Sequence, residues 1–321
     1  MIDIRPFKAT DEEFKELTRI ANLINHDSID HPDDEKNDWE LRDKSLIRDR
    51  LLLYRNEELI GALYYGQGRD GNSKTAFFSI ELNPEYNCNG YRERLYQEML
   101  KRVKEFNCEK LHTSIYDHPN YTEYKKLIDK HEFELAQTNR EYSCDITKIE
   151  IEKYMPLIHK LESEGIEFYD SRNELKGRKN HYEKLEEMTW TYSKDFPIPD
   201  GLEHTRTPFD QYMKNQLDFE KNYYGTEIVA VHKENYIAST DLYIFPKSEP
   251  HKAWTGGLGV LKKYRRRGIA TALKIKAIEV LLKKGVIDIR TDNEENNPMY
   301  KINVALGFIP VPFSLDYLKK I

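Results

Sequence analysis

The densest run of potential chemistry in this 321-residue chain is the segment 260–270, VLKKYRRRGIA. It sets Lys262, Lys263, Arg265, Arg266 and Arg267 directly before Gly268, Ile269, Ala270 and Thr271. Guanidinium groups make charge-assisted, forked hydrogen bonds to phosphate oxygens, so the run suits a phosphorylated ligand. If the turn opens a helix, it also presents unsatisfied backbone N–H groups and the positive end of the helix dipole. Gly268 would let the backbone approach a diphosphate, and Ala270 is small enough to leave it room. On residues alone, a solvated basic turn is an equal reading. The chain has no GxxxxGK[ST] phosphate loop. Five basic residues in one turn are few for a nucleic-acid adaptor on a chain of formal charge −6, so no nucleic-acid partner is expected.

Other chemistries find less support. The ten histidines form no HExxH or other ligand cluster, and no metal is expected. Ser114 and Ser171 lack a GxSxG elbow, which removes the serine-hydrolase reading. Cys88, Cys108 and Cys144 show no CxxC spacing, which argues against a disulfide framework and for a reducing, cytoplasmic setting. The charged start MIDIRPFKATDEEF has no apolar signal region, and no run approaches the ~18 apolar residues of a membrane span. A soluble protein with no membrane partner is the expectation.

The basic turn has meaning only if a strand precedes it and a helix follows. Lys252–Val260 reads as the strand. Ile269, Leu273, Ala277 and Val280 mark the buried face of the helix, which ends in Lys283-Lys284-Gly285. Upstream, Thr226–His232 and Ala238–Phe245 form a hairpin around Lys233-Glu234-Asn235-Tyr236. Downstream come a strand at Val286–Thr291, a short helix near Pro298–Leu306 and a last strand from Phe308. The first half repeats this order: strand Ile2–Phe7, helix Asp11–Asn25, a hairpin of Leu51–Tyr54 with Leu59–Gly66, strand Thr75–Leu82, then a helix carrying Leu95, Met99, Val103 and Phe106. Thr113–Phe133 lies over Asp288–Phe308 at an offset of 175 residues, and Gly90 lies 178 before Gly268. The expected fold is therefore α/β, in two tandem units, 1–148 and 149–321, with a boundary near Asp145–Glu150 and no Gly/Ser- or Pro-rich linker.

With these elements placed, Lys252–Pro310 resembles the GNAT superfamily of acyl-coenzyme A N-acyltransferases. Val260, Arg265, Gly268 and Ala270 match its Arg/Gln-x-x-Gly-x-Gly/Ala turn after a strand ending in Val. Asn296 and Gly307-Phe308 match its later Asn and terminal Gly-Phe. The string TDNEENNPMYKINVALGF resembles a tandem subgroup of mycothiol synthase-like architecture. Over 1–150 the likeness is architectural. It implies two units, each a mixed, mostly antiparallel sheet flanked by helices.

The resemblance implies acetyl-coenzyme A as co-substrate in the second unit. Its diphosphate would lie on Arg265, Arg266, Arg267, Gly268, Ile269, Ala270 and Thr271. Its pantetheine arm would pair with Leu258 and Val260 and meet Asn296, with the Val260 amide facing the developing oxyanion. An amine of a small molecule, amino acid or peptide would then attack the thioester directly. Where the family carries a tyrosine as acid, this chain has Asn303, which can donate a hydrogen bond but not supply a proton. Tyr300 is the nearest phenol, and Thr255, Asp241 and Asp195 are candidates for orienting a water that deprotonates an ammonium group. Phe168-Tyr169 and Trp190–Tyr192 fall where the family builds its acceptor pocket, or in the core. In the first unit Asn87, Arg92, Tyr121 and Glu132 replace the matching residues and only Gly90 remains, so that unit is expected not to bind coenzyme A. The rival reading is an acyl-coenzyme A-binding or regulatory module without turnover.

Overall fold

The computed structural model describes residues 2–25, 27–87, 90–222 and 225–321; Cys88 lies outside them. In chain order the elements are β1 (Ile2–Pro6), α1 (Asp11–Ile24), α2 (Pro32–Leu41), β2 (Arg48–Arg55), β3 (Glu58–Gln67), β4 (Thr75–Leu82), α3 (Tyr91–Arg102), β5 (Lys110–Tyr116), α4 (Thr122–Lys130) and β6 (Glu134–Asp145). There follow α5 (Met155–Ser163), β7 (Ile166–Asp170), α6 (His181–Ser193), α7 (Phe209–Asn222), β8 (Thr226–His232), β9 (Asn235–Ile244), β10 (Lys252–Val260), α8 (Ile269–Lys283), β11 (Asp288–Glu294), α9 (Tyr300–Ala305) and β12 (Ile309–Lys320). They form two compact units that do not simply follow chain order. One comprises Met1–Asn139, Ile198–Thr205 and Pro312–Ile321; the other comprises Arg140–Pro197 and Arg206–Val311.

The first unit is a mixed sheet in the order β1-β2-β3-β4-β5-β12. Only β4 and β5 run parallel; β12 joins β5 antiparallel from Ser314↔Tyr116 to Lys320↔Lys110. Helix α1 starts with a capping box, Thr10 accepting from the Glu13 N–H while the Glu13 carboxylate accepts from the Thr10 N–H. Its Phe14, Leu17, Ile20 and Ile24 recur at helical spacing and are buried. The main core gathers Leu51, Ile60, Leu63, Ile80, Leu95, Met99 and Ile128.

The second unit repeats the pattern with β7-β8-β9-β10-β11, where only β10 and β11 are parallel, and with the 140–145 half of β6 beside β11. Helix α8 buries Ile269, Ala272, Leu273, Ile275, Ala277, Ile278 and Leu281 against the strands. At ~1.5–3 kcal/mol for each large apolar side chain, this helix is a main anchor of the unit.

The two hairpins correspond residue for residue at an offset of 177. Arg50 faces Tyr64 in one, and Glu227 faces Asp241 in the other. Each has a register shift at the same place, Leu53/Tyr54 and Ala230/Val231. Each turns through two left-handed residues, Asn56-Glu57 (φ 49° and 69°) and Lys233-Glu234 (φ 48° and 66°), the backbone that matches strand twist in a two-residue loop. Two copies of one α/β unit are thus written into the backbone.

Candidate active site

Strands β10 and β11 pair only at Lys252–Trp254 with Asp288–Arg290, yet β10 runs on to Val260 and β11 to Glu294. Beyond Trp254 the strands part. A register shift between Thr255 and Gly257 marks the point of departure. The parting leaves a strand edge at Leu258 and Val260 that β11 does not pair, a place where an extended, amide-bearing ligand can add hydrogen bonds. Leu258 is partly exposed and Val260 is 9% exposed.

At the end of that edge the chain makes one 3-10 turn, Lys262–Tyr264, and enters α8. Gly268 is the residue before the helix at φ 87°, ψ 4°, a left-handed conformation that costs a side-chain-bearing residue ~1–2 kcal/mol. A Cβ there would also lie 2.7 Å from Leu157 Cδ1. No described side chain caps the helix, so the amides of Ile269, Ala270 and Thr271 point out of its first turn unpaired. Arg266 is exposed at φ 64°.

The other arginines of the turn are held. Arg265 donates through Nε to the Val260 carbonyl at 2.7 Å and through Nη2 to Asp195 at 2.6 Å. Lys262 reaches the same carboxylate at 3.1 Å. Asp195, the loop acid considered as a base, therefore sits on the basic turn as an anion, its pKa lowered by the bonds from Arg265 and Lys262. Arg267 pairs with Glu164.

The later candidates divide. Asn303 on α9 is 1% exposed and donates to Asn293 Oδ1 at 2.7 Å, while its own Oδ1 is buried without a partner among the described residues. Tyr300, first residue of α9, is 37% exposed. The Asn296 carboxamide folds back on Glu294 at 2.9 Å. Tyr192 from α6 bonds Ser239 at 3.0 Å, and Phe168 packs on the core of the unit.

Asp241 stands at the parting of the strands, whereas Thr255 pairs across the ladder with Leu242 and so projects from the opposite face. The Asp241 carboxylate lies over the irregular stretch of β10, where a Cβ on Gly256 would collide with Oδ2 and one on Gly257 would lie 3.2 Å from Oδ1. Burial pushes its pKa up to about 6. Directly across the ladder is Glu227, pushed up to about 8 by burial and then by the Asp241 charge. Sequence reasoning passed over Glu227; the 177-residue offset, which pairs it with Arg50, was the available signal. Among the described residues no group of three or more His, Cys, Asp or Glu is arranged to hold a metal ion.

The first unit parts its strands in the same way. Pairing of β4 with β5 stops at Phe77↔His112 while β4 continues to Leu82. Here the gap is filled from within. Tyr124 accepts from the Ile80 N–H at 3.1 Å and bonds Thr113 at 2.8 Å. The Arg92 guanidinium donates to the Ile80 carbonyl and to Asn87, and lies 4.6 Å from the Tyr124 ring. Ile80 corresponds in register to Leu258, and no described side chain bonds the backbone of Leu258. Arg92, which stands where the second unit has the small Ala270, turns inward and occupies the strand edge.

The model of the acetyltransferase (GNAT) family matches the chain over residues 12–127 and again over 185–308. The chain belongs to the GNAT family. It is an acyltransferase of tandem GNAT architecture. A tandem GNAT protein from the clavulanic acid biosynthesis pathway shares its fold with a TM-score of 0.78 at 15% identity, over 100% of this chain and 98% of that one. A GCN5-related N-acetyltransferase from Sphaerobacter thermophilus gives 0.69 at 15% identity, over 99% and 95%. A GNAT-family acetyltransferase from Colwellia psychrerythraea gives 0.57 at 15% identity, over 99% and 100%. No curated protein matches the sequence. Among the described residues no helix is long and apolar enough to cross a membrane.

Proposed function

We propose that this GNAT protein moves an acetyl group from acetyl-coenzyme A to the amine of a small molecule or peptide, by direct attack in the second unit. The contrast between the two strand gaps carries this reading. The edge at Ile80 is closed by Tyr124 and Arg92, whereas no described side chain bonds the backbone of Leu258, Arg265 holds the Val260 carbonyl, and the edge leads to a basic, uncapped helix start. Leu258 and Val260 would pair with the pantetheine amides. Arg265–Thr271 would hold the diphosphate, with Asp195 yielding Arg265 and Lys262 to it. The Val260 amide would stabilise the oxyanion, and a properly aimed donor of this kind is worth ~3–4 kcal/mol. Asn296 would turn from Glu294 to the arm, and Asn303 or Tyr300 would face the departing sulfur. By descent the repeats are 1–148 and 149–321, the first having lost its ligand site.

Thiol release from acetyl-coenzyme A across a library of amines tests this. Release above solvent hydrolysis with one class of amine is expected. Tight binding of acetyl-coenzyme A with no release for any amine would instead establish a binding module.

A further inference from the structure

The buried acids of the second unit are not needed to hold coenzyme A, and their setting has the features of a receptor for a cation. We propose that Asp241, backed by Glu227, receives the ammonium group of the acceptor and takes its proton, so that the acceptor is a positively charged aliphatic amine. This rests on acyl transfer in the second unit.

Three independent observations carry it. Asp241 stands where β10 leaves β11, so an amine held there is beside the edge assigned to the thioester. A hydroxyl on α7, Tyr212 Oη, is buried and has no partner among the described residues. Burial pushes the pKa of the Tyr212 phenol up, and the charges of Glu227 and Asp241 add to the rise. An ammonium ion offers three donors, and the Tyr212 oxygen is an acceptor that lacks one. Finally, the first unit supplies the cation itself. At the positions of Glu227 and Asp241 it has Arg50 and Tyr64, and the Arg50 guanidinium lies 4.9–6.0 Å from the rings of Phe7, Phe14, Trp39 and Tyr64 and pairs with Glu35. The second unit has exchanged that built-in cation for a carboxylate. The groups around the pair are Arg172, which lowers both acids, and Asp170 and the Ser171 hydroxyl at Glu227; Glu186 acts on Tyr212.

The chemistry balances. The ammonium gives one proton to Asp241, and the freed nitrogen lone pair forms the N–C bond to the thioester carbonyl. The C–S bond then breaks, its electron pair leaving on the thiolate. The second nitrogen proton goes to that thiolate, and Asp241 returns its proton to water. A carboxylate on the acceptor near its amine would face two acids in a low-dielectric setting.

The test uses the full chain, acetyl-coenzyme A, and three primary amines of four carbons each: 1,4-diaminobutane, butylamine and 4-aminobutanoate. The expected order of kcat/KM is diamine, monoamine, zwitterion, with at least tenfold between first and last. Asp241→Asn should lower kcat at least 100-fold and remove the fall in rate below pH about 6, while the acetyl-coenzyme A Kd stays within twofold. Glu227→Gln should raise the diamine KM about tenfold. Gly256→Ala, which displaces the Asp241 carboxylate, should also lose kcat, so a single misfolded variant does not decide the matter. A wild-type protein that binds no acetyl-coenzyme A would overturn the function itself. Turnover that survives in Asp241→Asn, or that favours 4-aminobutanoate, would overturn only the present proposal.

Discussion

Replacing Arg92 by alanine isolates the claim that the first unit's strand gap is a closed, structural feature. Arg92 is 7% exposed and donates to the Ile80 carbonyl and the Asn87 side chain. A hydrogen bond from a charged donor contributes about 1.5–3 kcal/mol, and losing it leaves a buried carbonyl unpaired. The guanidinium face on Tyr124, 4.6 Å away, adds about 1–2 kcal/mol in a desolvated place. Against these stands the cost of burying the cation, which is what lowers the Arg92 pKa. A net loss of about 3 kcal/mol follows. For a unit of this size each kcal/mol moves Tm by about 2–4 °C, so a fall of roughly 10 °C is expected in differential scanning calorimetry. Because Tyr124 still bonds the Ile80 amide, the variant should gain no second acetyl-coenzyme A site in a parallel titration. A Tm within 2 °C of the parent, or a second bound ligand, would refute the reasoning.

Two further outcomes follow from the charges. Asp316 on β12 accepts from Ser114 and Asn139 (2.7 Å) and lies 3.3 Å from His112; burial pushes its pKa up, but the nearby His112 and the bond from Ser114 outweigh this and hold it below the usual value. Its stabilisation is therefore present above the unfolded pKa of about 3.9 and lost as pH falls through the lower folded value. Asp316→Asn should cost about 2–3 kcal/mol in urea unfolding at pH 7 and progressively less below pH 4. Asp195 competes with an anionic ligand for Arg265 and Lys262, so Asp195→Asn should tighten acetyl-coenzyme A binding severalfold at low salt, with the gain shrinking as salt is added.

Much of the fold was legible because it depends on local patterns. The hairpins, strand β10, the basic turn and the buried face of α8 stand within a few residues of where alternation, turn residues and helical spacing placed them. The repeat was legible as well, though its clearest sign, the 177-residue offset of the hairpins, needed the strand register. What stayed hidden depends on the direction of side chains and on long-range pairing. The substitution at Arg92 was visible, but whether its guanidinium would project toward a phosphate or fold onto Ile80 was not. Nothing in Ser314–Lys320 names β5 as its neighbour, since many strand edges accept an alternating segment. Glu227 reads as an ordinary polar residue at the start of a strand until the ladder sets it opposite Asp241.

The most direct test of the account is isothermal titration of the protein with acetyl-coenzyme A. One molecule per chain at micromolar Kd is predicted, with binding abolished by Arg265→Glu combined with Gly268→Asp. Unchanged affinity in that double variant, or two equivalent sites per chain, would contradict the assignment of the coenzyme to the turn at Gly268.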